Sequence, residues 1–208
     1  MIDTLLKYFP DLNELQRQQF EALAILYPEW NAKINVISRK DIDNLCVNHV
    51  LHSLGIAKFI NPVDGTTFID LGCGGGFPGI PLAIMWPQCR FHLIDRVGKK
   101  LKVAESIAEV TGLENVTFQH GDAAECRQRF DFVVSRAVMR LDELVKLSRH
   151  LISRESHNGY PNGLICLKGG DIAQEQRGIK GDDVFEYDLS NYFSEPFFET
   201  KKLVYVQL

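Results

Sequence analysis

The residues of this chain best suited to chemistry crowd into one segment, Phe68 to Ile84, which reads FIDLGCGGGFPGIPLAI. An apolar run over Thr67–Leu71 carries one acid, Asp70, and gives way to Gly72, Gly74, Gly75 and Gly76, with Pro78 and Gly79 just beyond. The pattern predicts a strand, a tight turn and a helix. Glycine lacks a Cβ, so such a turn adopts positive φ and lets a ligand lie close against the backbone. A helix beginning near Pro78 aims unpaired N–H groups and partial positive charge at the same spot. A nucleotide-like ligand fits there; a bare turn closing a strand–helix unit is the plainer alternative.

Two ligand classes suit the loop. Gly74 to Gly79 matches G-x-G-x-x-G, the pattern of dinucleotide sites. Asp70 argues against a dinucleotide, because a carboxylate at the strand end repels a pyrophosphate. It favours a cationic ligand, and S-adenosylmethionine carries an ammonium and a sulfonium. The next predicted strand, Phe91 to Asp95, ends in a second acid, Asp95, placed to accept hydrogen bonds from ribose hydroxyls. Cys73 lies inside the loop, where small size explains it better than nucleophilic chemistry.

The elements that must hold this loop are legible along the rest of the chain. Leu12, Leu15, Phe20, Leu23, Ala24, Leu26 and Tyr27 recur near helical spacing, with Asp11 or Asn13 as a cap. A second helix is expected over Lys40 to Phe59 and a turn at Asn61–Gly65. From Thr66 onward strands and helices alternate: TTFIDL, a helix over Gly79–Met85, RFHLID, a helix over Gly98–Thr111, NVTFQ, a short helix near Ala123, FDFVVSR, a helix over Leu141–Leu151, and GLICLK. Val184–Leu189 and Lys202–Gln207 read as a further antiparallel pair at one edge. Such alternation implies an α/β fold with a mostly parallel, doubly wound, seven-stranded sheet. The expected division is a helical extension over residues 1–62 and a ligand-binding domain over 63–208, packed as one unit. Ser153–Gly163 and Ile172–Asp183 are read as loops.

With 208 residues, 45% hydrophobic and 24% charged, the chain suits one principal domain with a full core. A net charge of −4 excludes a generally basic nucleic-acid coat but not a local basic face. Arg96, Lys99, Lys100 and Lys102 form a basic run, and Arg96, Arg136 and Lys168 fall at strand ends, where a doubly wound sheet gathers its ligands. Five dispersed cysteines without a C-x-x-C pair point to reduced thiols, not to disulfides or a zinc site, and no metal is expected. The start of the chain lacks signal-peptide character and no run reaches membrane-spanning length, so a cytoplasmic protein is expected.

FIDLGCGGGFPGIPLAI, followed by LIDRVGKKLKV, VVSRAV and LKG, resembles the bacterial ribosomal RNA small subunit methyltransferase G family, also called glucose-inhibited division protein B. WNAKINVIS (Trp30–Ser38) is similar to that family's W-N-x-x-x-N-L segment, with Val36 in the leucine position, and NHVLHSL (Asn48–Leu54) to its R-H-x-x-D-S segment. The resemblance covers roughly Trp30 to Gly169. It implies a Rossmann-like class I methyltransferase moving a methyl group from S-adenosylmethionine to N7 of one guanosine in 16S ribosomal RNA or the small subunit, without metal or membrane, as a monomer. It also implies cofactor contacts at Gly72, Phe77, Ala123, Ala124 and Arg136, to which the loop reading adds Asp70, Gly74 and Asp95. Guanine N7 has an in-plane lone pair, so alignment can supply most of the catalysis. Arg136 and Lys168 are expected on the substrate, with Asn35 and His49 from the helical segment. Two positions depart from the pattern: Asn48 stands in place of Arg and His52 in place of Asp. A methyltransferase of another acceptor, a dinucleotide oxidoreductase and a non-catalytic RNA-binding module remain as alternatives.

Overall fold

The computed structural model describes residues 1–136, 139–179 and 183–208. Ala137 and Val138 of the VVSRAV motif lie outside the described residues, as do positions 180–182 of the second expected loop.

The chain begins with α1 (Ile2–Tyr8) and α2 (Glu14–Asn31). Of the two expected caps, Asn13 takes the role. Its Oδ1 accepts the Gln16 N–H at 2.9 Å, and Gln16 Oε1 accepts the Asn13 N–H at 3.0 Å, a reciprocal capping box. The single helix expected over Lys40–Phe59 is not formed. In its place stand a 3₁₀ turn (Ile42–Asn44), a π-helical stretch (Leu45–Leu51) and the short α3 (Ile56–Phe59). A distant side chain explains the break: Arg136 donates to the Asn48 carbonyl, which a regular helix would reserve for its own ladder.

The sheet follows the predicted alternation. Strands β1 (Thr67–Leu71), β2 (Arg90–Asp95), β3 (Val116–His120), β4 (Phe132–Arg136) and β5 (Gly163–Gly169) run parallel, linked by α4 (Gly79–Met85), α5 (Gly98–Val110) and α6 (Leu141–Ser148). After α7 (Ala173–Gln176) come β6 (Val184–Asp188) and β7 (Lys201–Gln207). The order is β3-β2-β1-β4-β5-β7-β6, with β7 antiparallel to both neighbours, so the last strand inserts between β5 and β6. Strand order reverses between β1 and β4, and the glycine loop leaves β1 at that switch point, where such sheets bind ligands.

One face of the sheet shares a continuous core with α1 to α5; Phe20, Leu23 and Tyr27 of α2 join the same cluster as Phe68, Phe91 and Phe132. The Phe68 ring stacks on Phe91 at 4.9 Å and on Phe132 at 5.6 Å. The other face is covered by Leu141, Leu144 and Val145 of α6. Buried glutamines of α2 close open helix ends: Gln16 Nε2 donates to the Ile84 and Met85 carbonyls, both at 3.0 Å, and Gln19 Nε2 to Thr111 at 2.9 Å. These bonds fix α2 to α4 and α5. Among the described residues no helix is long and apolar enough to cross a membrane.

Candidate active site

The loop after β1 is held from three sides. Below it, Asp70 is wholly buried, and its Oδ2 accepts the Gly79 N–H at 2.7 Å. Burial pushes the Asp70 carboxyl up to about 7, against the opposing pull of the Gly79 N–H and Arg136. Beside the loop, Asp95 Oδ2 accepts the Gly74 N–H and Oδ1 the Val97 N–H, both at 2.7 Å. Above it, Tyr27 donates its hydroxyl to the Gly75 carbonyl at 2.9 Å and stacks on Phe77 at 4.5 Å. Gly76 needs to be glycine: its φ is +104°, and a Cβ there would come within 2.5 Å of Ile80 Cγ1. Gly74, at φ +56°, has nothing within 4 Å of where a Cβ would stand, which leaves room for a ligand against its backbone.

A cavity of about 540 Å³ opens over this loop, lined by Gly72, Gly74, Phe77, Asp95, Ala123 and Arg136 among others. A second, of about 550 Å³, lies beside it, lined by His49, His52, Leu167, Lys168, Phe197 and Lys201. Arg136 and Met139 line both, so they stand at the boundary between them. A third cavity, about 870 Å³, sits where Thr67 and Arg90 begin their strands, at the sheet edge opposite the loop. Its position, away from the carboxyl ends of the strands, sets it apart from the ligand crevice of this architecture.

Arg136 is gripped by the helical segment. Nη1 donates to the Asn48 carbonyl at 3.2 Å, Nη2 donates to His49 Nδ1 at 3.0 Å, and the guanidinium lies 4.9 Å over the Phe77 ring. Since a guanidinium only donates, His49 Nδ1 is an acceptor, and Nε2–H must be the donor to Asp41 Oδ2 at 2.6 Å. Burial and then the Arg136 charge lower the His49 pKa to about 4, against Asp41, so the imidazole is neutral at pH 7. Burial opposes ionisation of Asp41, but donations from Asn48 and His49 outweigh it and hold its carboxyl below the usual range. Burial lowers Arg136 to about 10, against Asp70, which leaves it cationic. Asp41, His49 and Arg136 thus form a relay of fixed hydrogen bonds that orients one cation at the boundary of two cavities.

Most of the expected site residues converge, and some change role. Gly72, Gly74, Phe77, Asp95, Ala123 and Arg136 come together around the loop cavity. Asp70 does not: its carboxylate pins Gly79 from beneath, because a strand residue with its side chain toward α4 cannot also face the ligand edge. Ala124 is exposed, borders neither cavity, and gives its N–H to Asp122 Oδ1 at 2.9 Å. Asn35 is exposed and borders neither cavity. Its neighbour Val36 borders the loop cavity instead, held by Asn31 Oδ1, which accepts the Val36 and Ile37 N–H groups. Lys168 borders the second cavity, but its ammonium already donates to the Met139 carbonyl at 2.5 Å and Glu175 at 2.9 Å. Arg96, expected at the ligand edge, borders the loop cavity and pairs with Asp122 at 2.5 Å. Cys73 is buried and its thiol is pushed well up by burial, as a packing residue's would be. The sequence reading missed Phe197 and Lys201, which the 3₁₀ turn Pro196–Thr200 and the start of β7 carry to the site from the far end of the chain.

Comparison with known proteins narrows this geometry to one family. Residues 16–184 match the family model described as rRNA small subunit methyltransferase G (GidB). Over its full length the chain is 59% identical to the ribosomal RNA small subunit methyltransferase G of Phocaeicola vulgatus, covering 99% of that protein. The protein of the same name from Bacteroides thetaiotaomicron is 58% identical, and all of it is covered. The chain belongs to the ribosomal RNA small subunit methyltransferase G family. Among solved structures, Aeropyrum pernix fibrillarin in complex with S-adenosyl-L-methionine shares the fold, with a TM-score of 0.52 at 14% identity over 69% of this chain and 66% of that one.

S-adenosylmethionine is the methyl donor of this family, and the residues present suit it. The backbone over Gly74 is open, the Asp95 carboxylate retains lone pairs for hydroxyl donors, and the small, buried Ala123 borders the same space.

Proposed function

We propose that the protein transfers a methyl group from S-adenosylmethionine to N7 of a guanosine in 16S ribosomal RNA. The observation that carries this is the pair of adjoining cavities meeting at Arg136: one lies over a glycine loop flanked by Asp95, the other beside cationic side chains. Gly72, Gly74, Phe77, Asp95 and Ala123 would hold S-adenosylmethionine, which when bound supplies an electrophilic methyl group on a sulfonium. The guanine N7 lone pair needs no general base, and no side chain has to remove a proton before the attack. The protein's task is then to bring the nucleophile to a contact of roughly 3–3.5 Å in the right direction.

Arg136 orients the base in this reading. The grip of Asn48, His49 and Phe77 fixes its guanidinium, and its remaining N–H donors suit the guanine O6 or a phosphate. His49, neutral and with its tautomer set by Asp41, positions Arg136 and does no proton transfer. Lys168 keeps one N–H free for the substrate while it ties the segment after β4 to α7. Lys100 and Arg96, at the rim of the loop cavity, suit the RNA backbone. We further propose that the protein works in the cytoplasm as a monomer without a metal, on ribosomal RNA or the small subunit.

Calorimetry with S-adenosylhomocysteine and with NADH tests the ligand class directly. The expected result is saturable binding of the first and none of the second. Binding of NADH alone would replace this reading with the dinucleotide one.

A further inference from the structure

His52 is a departure from the family pattern that the methyl-transfer scheme leaves unused. It sits on the turn that follows the π-helical stretch and is only 6% exposed, yet among the described residues its Nε2 has no hydrogen-bond partner. A buried ring nitrogen without a partner is uncommon and calls for an explanation. The ring borders the second cavity, whose other polar side chains among the described residues are Arg136, Lys168 and Lys201, which can only donate hydrogen bonds, and His49, which has both ring nitrogens engaged. A guanine edge lodged there has N–H groups to place as well as oxygen lone pairs, and these cations cannot receive them. Burial, then the charges of Arg136 and Lys201, hold the His52 pKa well below the ordinary value, so the ring is neutral at pH 7; its hydrogen bond to the Asn48 backbone uses the other nitrogen, Nδ1, as donor, which leaves Nε2 its lone pair. Nε2 is closed to water, and the half-buried Phe197, which lines the same cavity, stands with its ring 5.3 Å from the imidazole.

We propose that His52 is a specificity-determining residue: its Nε2 accepts a hydrogen bond from the N1–H and 2-amino edge of the target guanine in the second cavity. This rests on the guanine-N7 reading above. The arrangement discriminates against adenine twice, because adenine's N1 presents a lone pair to His52 and its 6-amino group presents donors to the cations.

The test compares His52→Gln, which keeps an acceptor at similar reach, with His52→Phe, which keeps the ring shape without one; His52→Met replaces the latter if it fails to fold. Methyl transfer to small subunits from a strain lacking the gene is measured alongside melting temperature and S-adenosylhomocysteine affinity. The expected result is wild-type melting and cofactor affinity in both variants, kcat/KM within about threefold for Gln, and a loss of about tenfold or more for Phe, the range of one lost hydrogen bond. Equal activity in Phe and wild type overturns the proposal, as does a Gln variant no better than Phe. Failure of the wild-type protein to label the subunits overturns it together with the reading beneath it.

Discussion

At the scale of single residues, the site is organised by where charge is allowed to exist. Asp70 is a carboxylate kept from solvent, with one oxygen on Gly79 and the other, Oδ1, without a partner among the described residues. Its pKa of about 7 in the fold lies above the ordinary value near 3.9. Between those values the folded state binds more protons than the unfolded one, so stability falls as pH rises through the window and levels off above 7. Asp70→Asn removes that dependence. In urea unfolding the variant should gain on the wild type by an amount that grows from pH 4.5 to 7.5, on the order of a few kcal/mol. His49 drives the opposite trend between about 4 and 6.5, but it is common to both proteins and cancels in the difference. A gain that does not change with pH would show that Asp70 ionises normally. Arg136→Lys keeps a cation but loses the forked grip on Asn48 and His49 and the flat contact with Phe77. Steady-state kinetics on small subunits should show kcat/KM reduced about 100-fold; a change under twofold would mean charge alone suffices.

At the scale of elements, the parts defined by local pattern were legible in the sequence, and the parts defined by distant contacts were not. The strand–turn–helix of the loop follows from glycine spacing and a run of apolar residues, and a polar cap for α2 at Asp11 or Asn13 from their place before its apolar positions, the structure choosing Asn13. The Lys40–Phe59 segment has helical periodicity but forms a 3₁₀ turn, a π-helical stretch and a short helix, because Arg136, far along the chain, takes the Asn48 carbonyl. Asn35 is expected on the substrate from the Trp30–Ser38 segment, yet Asn31 does the local hydrogen bonding and Val36 meets the loop, where a Cβ on Gly75 would come within 2.8 Å of it. Asp70, expected to face the ligand, lies buried beneath Gly79 instead, because which way a strand residue faces depends on the helix packed above it. Gln16 shows how one side chain joins elements: it completes the α2 capping box and accommodates two carbonyls at the end of α4. Gln16→Ala should cost about 1–3 kcal/mol and lower the melting temperature by several degrees. Calorimetric affinity for S-adenosylhomocysteine should stay within about twofold, because Gln16 meets α4 at the end remote from the loop. An unchanged melting temperature would show these bonds to be dispensable.

At the scale of the whole molecule, two ends of the chain meet at one crevice. The N-terminal helical segment brings Tyr27, Val36, His49 and His52, and the C-terminal strand β7, inserted between β5 and β6, brings Lys201, with Phe197 just ahead of it. The central sheet contributes the loop, Asp95 and Arg136. A pattern search along the sequence finds the third group, since its residues sit at strand ends; it does not find the C-terminal pair, whose place depends on where the last strand inserts. The central claim is that this crevice delivers a methyl group to one nucleobase atom. Small subunits from a strain lacking the gene, incubated with the purified protein and labelled S-adenosylmethionine, can be mapped for 7-methylguanosine by cleavage of the 16S RNA at that modification. Label and cleavage at a single guanosine, absent without the protein, is the predicted result; label at another base atom, in protein, or nowhere would contradict it.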